Sequence, residues 1–421
     1  MPSISLKALK YLTCGVLLRA LAYTAISTYT VAEGGRNILE STVIQSSQSV
    51  LMLREEAFRR AHNLSPLGTE TSLVVVLAEA ALSGATRLRS TLPFVVILSD
   101  EFFFFVLSTS INALALLIID AEVSLSAASV SWTWLSPAMV ISCSLSPLPS
   151  VELLSLVSVA YLATRRRIWT VLPFGLLLSV HPTYVTLAPA AWFLWSVGTI
   201  PEKKKALSVL QLSSWARMIM GGLFVCALLA LQPSGLLNLA AQTLALTPGG
   251  LLRGPMKDLS FLANPRSSFQ GDYYEPSLGI VWYMDAQVFS AVRSYLATLV
   301  LAQPYLLVAP LCIQFGHTQP QLLFDVSAAL VLLFKPVLSL CDISIAIGLL
   351  SRHGLVVSRM RRLPEILLGV LTAATLSPLT MQLWLSRGTG NANFLFFQGL
   401  FLWIFSSLGL VEFVKTASRA N

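Results

Sequence analysis

Long apolar runs separated by short polar stretches dominate the chain, and the clearest pair closes it. Ile366 to Leu385 is almost wholly apolar, and so is Phe394 to Val411. At about 1.5 Å per residue, each is long enough to cross or nearly cross a bilayer as a helix. The polar stretch between them, Ser386-Arg387-Gly388-Thr389-Gly390-Asn391-Ala392-Asn393, is therefore a turn pinned at a membrane face. Its glycines let the backbone bend, and its asparagines offer amide donors and acceptors. Two readings stay open: a tight membrane turn, or a polar lip for a lipid head group.

Upstream the pattern is more broken. Residues 133–164, 168–199 and 320–351 each number 32 and lie between cationic clusters. They are interrupted at Ser146-Pro147-Leu148-Pro149, His181-Pro182 and Lys335-Pro336. One pass takes about 20 residues and two about 40. The spacing predicts either three hairpins of short or broken helices, or ordinary helices kinked at proline. Broken helices at membrane depth commonly line a site.

Cations set the orientation. Lys7/Lys10, Arg165 to Arg167, Lys203 to Lys205, Arg352 with Arg359/Arg361/Arg362, and Lys415/Arg419 fall in short loops or at termini. The positive-inside bias puts them on the cytoplasmic side. Residues 8–30 then cross outward, 71–119 make a net return, 206–232 cross outward and 294–315 return. Loops at about 31–70, 233–290 and 386–392 share the opposite face. The 31–70 loop holds a helical pattern from Val50 to Arg60 suited to the membrane surface, and a glycosylation sequon at Asn63-Leu64-Ser65. The chain is expected to be one transmembrane domain, residues 1–421.

Composition agrees. Charged residues make up 11% and hydrophobic residues 55% of 421, with a mean hydropathy of +0.74. Soluble domains carry roughly 25% charge, so the fold class is an all-α polytopic membrane protein. The net charge of +8 does not indicate nucleic acid, because aromatic residues sit inside apolar runs rather than among basic ones. The five cysteines lie in or beside apolar segments without a CxxC pattern, and read as buried apolar side chains. No cleavable signal peptide is expected at the N-terminus.

No metal-ligand spacing, nucleophile elbow, P-loop or Asp-x-Asp occurs, and no cofactor or metal is expected. Ionisable groups inside apolar runs are the stronger signal, since each is costly unless paired or facing a cavity. These are Asp100 with Glu101, Asp285, Lys335 and Asp342. They read either as internal ion pairs that fix packing or as a polar seam that recognises a head group. Arg19 is a candidate partner for Asp100.

Four motifs, in order, carry a resemblance. Leu135-Ser136-Pro137 with Ile141-Ser142-Cys143 is similar to L-N-P followed by I-L-S-C. Pro276 to Tyr283 is similar to P-N-I-G-L-F-W-Y. Phe334 to Asp342 is similar to F-K-S-Y-P-T-V-G-D, and Gly388 to Phe394 to G-S-A-N-S-N-F. The chain resembles the phosphatidylinositol-glycan class U family from Arg19 to its C-terminus, as a divergent member. Cys341 replaces a glycine, Thr389-Gly390 replaces Ser-Ala, and residues 120–132 are shorter and less basic than the family's segment.

That resemblance implies a multi-pass, non-catalytic subunit of the GPI transamidase of the endoplasmic reticulum. The helix bundle would be similar to membrane-embedded GT-C glycosyltransferases, without their acidic catalytic motif. The implied partners are other transamidase subunits, including a caspase-like cysteine protease subunit, and the GPI lipid. The lipid-binding residues it implies are Asn391 and Asn393. Phe394 at the helix entry and Arg387, a charge for a phosphate, join them as candidates. The competing readings are a GPI mannosyltransferase with a dolichol-linked donor and a loop acid such as Glu33 as base, and a transporter built on broken helices.

The orientation is testable. Tags inserted in the 233–290 loop and at Arg387-Gly388 should be protected from protease in sealed microsomes, and a tag after Asn421 should be digested. The reverse pattern overturns the charge-based assignment.

Overall fold

A computed structural model describes residues 6–33, 100–122, 127–145, 148–165, 167–180, 182–197, 276–335 and 337–420. Asn63, the surface-helix pattern, the 206–232 span, Glu33's surroundings and the 233–275 part of the long loop lie outside these residues. Among the described residues the structure is helical, with no strand. That is the fold class of an all-α membrane protein.

The first half contributes α1 (Leu6–Glu33), α2 (Asp100–Glu122), α3 (Ala127–Thr133), α4 (Pro137–Leu145), α5 (Leu148–Thr164), α6 (Val171–Val180) and α7 (Ala188–Val197). The second half contributes α8 (Val281–Gln287), α9 (Ser290–Phe315), α10 (Pro320–Leu333), α11 (Leu340–Ser351), α12 (Gly354–Val357), α13 (Leu363–Met381) and α14 (Ala392–Ala420).

Each 32-residue unit is a pair of short helices, α4–α5, α6–α7 and α10–α11, with the breaks near the expected prolines. The first break is narrower than the sequence pattern: Leu148 and Pro149 already belong to α5, where proline fits a first turn that has no N–H partner to lose. In the second unit a 3-10 stretch, Pro182–Leu187, joins the two arms. At 14 and 12 residues, α10 and α11 are about 21 and 18 Å long, too short to span the roughly 30 Å hydrocarbon layer singly. Only α13 with its continuation to Leu385, and α14 from Ala392 to Arg419, are long and apolar enough among the described residues to cross a membrane.

Helix α10 is the hub. It is apolar nearly all round and buried along its length except at Gln321, as a central helix must be. It packs on α5, α7, the 3-10 stretch, α9, α11 and α14. Around it, α2 lies against both α4 and α5, with Ser108 and Ser150 hydrogen-bonded at 2.9 Å between α2 and α5.

Close approach depends on missing side chains. Gly15 of α1 lies against the indole of buried Trp134, where a Cβ would sit 1.7 Å from Nε1. That Nε1 donates to the Tyr11 carbonyl at 2.8 Å, and the Arg19 guanidinium lies 3.7 Å over the same ring. Gly15→Ala must displace the indole, and overpacking of this kind costs about 1–3 kcal/mol. Its thermal midpoint in detergent should fall, whereas Gly354→Ala, with open space around the added methyl, should match the parent. Equal midpoints for both variants would overturn the packing.

Candidate functional site

The break between α10 and α11 carries the densest chemistry. Lys335, 4% exposed, reaches two carboxylates. Its Nζ donates to Asp342 Oδ1 at 2.9 Å and to Glu152 Oε1 from α5. The Tyr184 hydroxyl, from the 3-10 stretch, donates to the same Glu152 oxygen. Lys335 Nζ also stands 5.2 Å from the Tyr184 ring centroid. The ion pairs of Lys335 join the first and third broken units, and the Tyr184 hydrogen bond to Glu152 adds the second.

Asp342 has a second duty. Ser339 precedes α11, its hydroxyl accepts the Asp342 backbone N–H at 3.3 Å, and Asp342 Oδ2 accepts the Ser339 N–H at 2.9 Å. This is a capping box that satisfies orphan donors at the helix start. Two orthogonal demands, helix start and charge neutralisation, hold the same carboxylate.

A separate node closes the opposite end of the α10–α11 hairpin. Asp325, fully buried, accepts from Arg352 at 3.2 Å and lies 2.9 Å from His353 Nε2.

The turn between α13 and α14 is built differently. Helix α13 runs on through a π-helical stretch, Gln382–Ser386, and Gly388 takes φ +64°, which glycine adopts without strain. The N–H groups of Thr389 and Gly390 both donate to the Leu383 carbonyl at 3.0 Å. Asn391 stands at the N-cap of α14, its Oδ1 accepting the Asn393 N–H at 3.3 Å. Asn393 Oδ1 accepts from the Tyr283 hydroxyl. Asn391, Asn393, Phe394 and Arg387 are all exposed.

Tyr283 ties this turn to the hairpin. It stacks on Phe396 with centroids 4.3 Å apart, and Trp282 stacks on Trp384 at 5.8 Å. Five residues before Tyr283, the Leu278 N–H donates to the Leu338 carbonyl at 3.1 Å. Cys341 Sγ, in turn, donates to the Ala138 carbonyl at 3.5 Å beside the Ser136 cap of α4. The four sequence motifs are neighbours in space.

Of the intramembrane candidates, Lys335 and Asp342 meet in a buried ion pair. Asp100 stands in α2 and Asp285 in α8, and their side chains lie outside the described structure. Glu152 and Asp325, each the one acid in its helix, meet the same criterion of an ionisable group in an apolar run. Tyr184 carried no signal. Among the described residues no cluster of three or more metal-ligating side chains occurs, and Cys14, Cys312 and Cys341 are free thiols.

The family profile of the GPI transamidase subunit PIG-U matches residues 13–403. This chain belongs to the PIG-U family. It is also 30% identical over 164 residues to the GPI transamidase component GAB1 homolog of Schizosaccharomyces pombe. That match covers 38% of this chain and 39% of the relative's length. Membership implies a location in the endoplasmic reticulum membrane. It does not favour the mannosyltransferase reading.

Lys335→Met should strand two carboxylates in an apolar setting, and losing one partner of a buried pair costs about 3–5 kcal/mol. Adding Glu152→Gln removes one stranded charge and should recover part of the thermal midpoint. A double variant less stable than Lys335→Met alone would mean that the cluster is not held by charge balance.

Proposed function

We propose that this chain is the non-catalytic component of GPI transamidase that holds the GPI lipid while the anchor is joined to protein C-termini in the lumen. The hydrogen-bond accounting at the α13–α14 turn carries the reading. Both asparagine oxygens are committed to the protein, to the Asn393 N–H and to the Tyr283 hydroxyl. Both Nδ2 groups are left as donors at an exposed membrane-face turn. Two neutral donors so placed suit phosphate or sugar hydroxyl oxygens, without the desolvation cost of a buried charge. Arg387, exposed on the same turn, adds charge-assisted attraction for a phosphate. Phe394, 58% exposed, and Phe397 below it offer apolar surface for acyl chains.

In this reading the whole chain is one transmembrane domain of GT-C-like type. Its luminal loops fall at about 31–70, 233–290 and 386–392. The cleavage chemistry belongs to a caspase-like cysteine protease subunit among its partners. Lys335 and Asp342 hold the hairpin that supports the turn rather than touching the lipid.

Asn391→Asp with Asn393→Asp separates structure from binding. Aspartate keeps the cap and the acceptor for Tyr283 but replaces each donor with a negative oxygen. We expect normal co-purification of partner subunits, a fall in surface GPI-anchored reporter, and accumulation of uncleaved precursor. Each lost hydrogen bond should weaken lipid binding by about 1 kcal/mol, before repulsion is added. Normal anchoring in this variant would reduce the turn to a structural element.

A further inference from the structure

The loop joining α11 to α13 is an ordered cationic platform. Arg352 and His353 fasten its start to buried Asp325. The His353 carbonyl accepts the N–H groups of Val356 and Val357 at 2.9 and 3.1 Å. The Arg359 N–H donates to the Val356 carbonyl at 3.1 Å, and the Met360 N–H to the Val357 carbonyl at 3.2 Å. Val356, Val357 and Met360 pack inward on the core, and α12 lies against α14.

What remains on the outside is Leu355, 78% exposed, with Arg359, Arg361 and Arg362. No carboxylate occurs in residues 352–362. Among the described residues none of the three arginines forms an ion pair, although exposed Glu365 is close in sequence. Exposed Lys415 and Arg419 stand at the end of α14 beyond Phe413, whose ring lies 6.1 Å from that of His353. The platform thus sits at the start of span α13, with the asparagine turn at its other end.

A rigid backbone, three unpaired planar cations and one exposed leucine at the end of a membrane span match a membrane interface. Guanidinium groups bind phosphate oxygens in a bidentate manner, and the positive-inside bias sets this end in the cytoplasmic leaflet, where anionic lipids are found. We propose that Arg359, Arg361 and Arg362 bind the head group of an anionic phospholipid of the cytoplasmic leaflet, with Leu355 entering its acyl boundary. This site is distinct from the asparagine turn and independent of its ligand.

The test uses the full chain in detergent micelles doped with equal phosphatidylserine and phosphatidylcholine, with retained lipids counted by native mass spectrometry. The parent should retain phosphatidylserine preferentially. In Arg359→Gln/Arg361→Gln/Arg362→Gln the preference should fall by about tenfold or more, at an unchanged thermal midpoint. Leu355→Ser should lower retention of phosphatidylserine while keeping the preference. An undiminished preference in the triple variant overturns the proposal. So does a triple variant whose midpoint collapses, because the arginines would then be holding the fold. Displacement of phosphatidylserine by millimolar inorganic phosphate would mark a free-anion site, and displacement by poly-glutamate an acidic protein partner; either also overturns it. Defective anchoring in the asparagine variants leaves this result unaffected.

Discussion

A charge cannot be left alone in an apolar interior, and the bundle is arranged around that constraint at Lys335. Its ammonium lies between Glu152 and Asp342, so α5 and the two arms of the α10–α11 hairpin must meet within hydrogen-bond reach. Tyr184 brings the second unit to the same oxygen. Hydrophobic contact alone would tolerate sliding of these short helices, because apolar surfaces are interchangeable and lipid competes for them. An ion pair with fixed partners does not slide. At the far end of α10, Asp325 repeats the device with Arg352 and His353. The central hairpin is thereby fastened at both ends, and its depth in the bundle is set.

The exposed turn inherits that rigidity through the segment 276–283. Leu278 is bonded to Leu338 in the α10–α11 connection, and Tyr283 reaches Asn393 at the start of α14. Gly399 permits the approach: a Cβ there would lie 2.6 Å from the Leu278 carbonyl oxygen. The stacked pairs Trp282–Trp384 and Tyr283–Phe396 fill the space between. A disturbance at the buried pairs therefore has a continuous packed route to the asparagines. That continuity is spatial, and coupling along it is a separate quantity.

Much of the architecture was legible along the chain because prolines and cations punctuate it. The breaks at Pro182 and after Phe334, the terminal pair of spans and the asparagine turn all follow from that punctuation. The site was legible only in halves. Lys335 and Asp342 are close in sequence, but Glu152 is 183 residues from Lys335, and nothing local announces which distant acid answers a buried lysine. Tyr184 was hidden for the same reason, since tyrosine in an apolar run is unremarkable until its hydroxyl finds a partner. Along the chain the two asparagines are one kind of group. Folding gives their oxygens separate structural roles: Asn391 caps α14 locally, and Asn393 accepts from Tyr283, more than a hundred residues upstream.

The order of these elements along the chain sets an order of completion during synthesis. Helices α5, α10 and α11, with every member of the lysine centre, leave the ribosome before α13 and α14. Asn393 and Phe396, which meet Tyr283, are made after every member of that centre. A nascent chain can therefore satisfy its buried charges while the turn between α13 and α14 is still being translated. Truncation ahead of Asn391 would yield a chain that keeps every member of the ionic centre and lacks the asparagines that meet Tyr283 and cap α14.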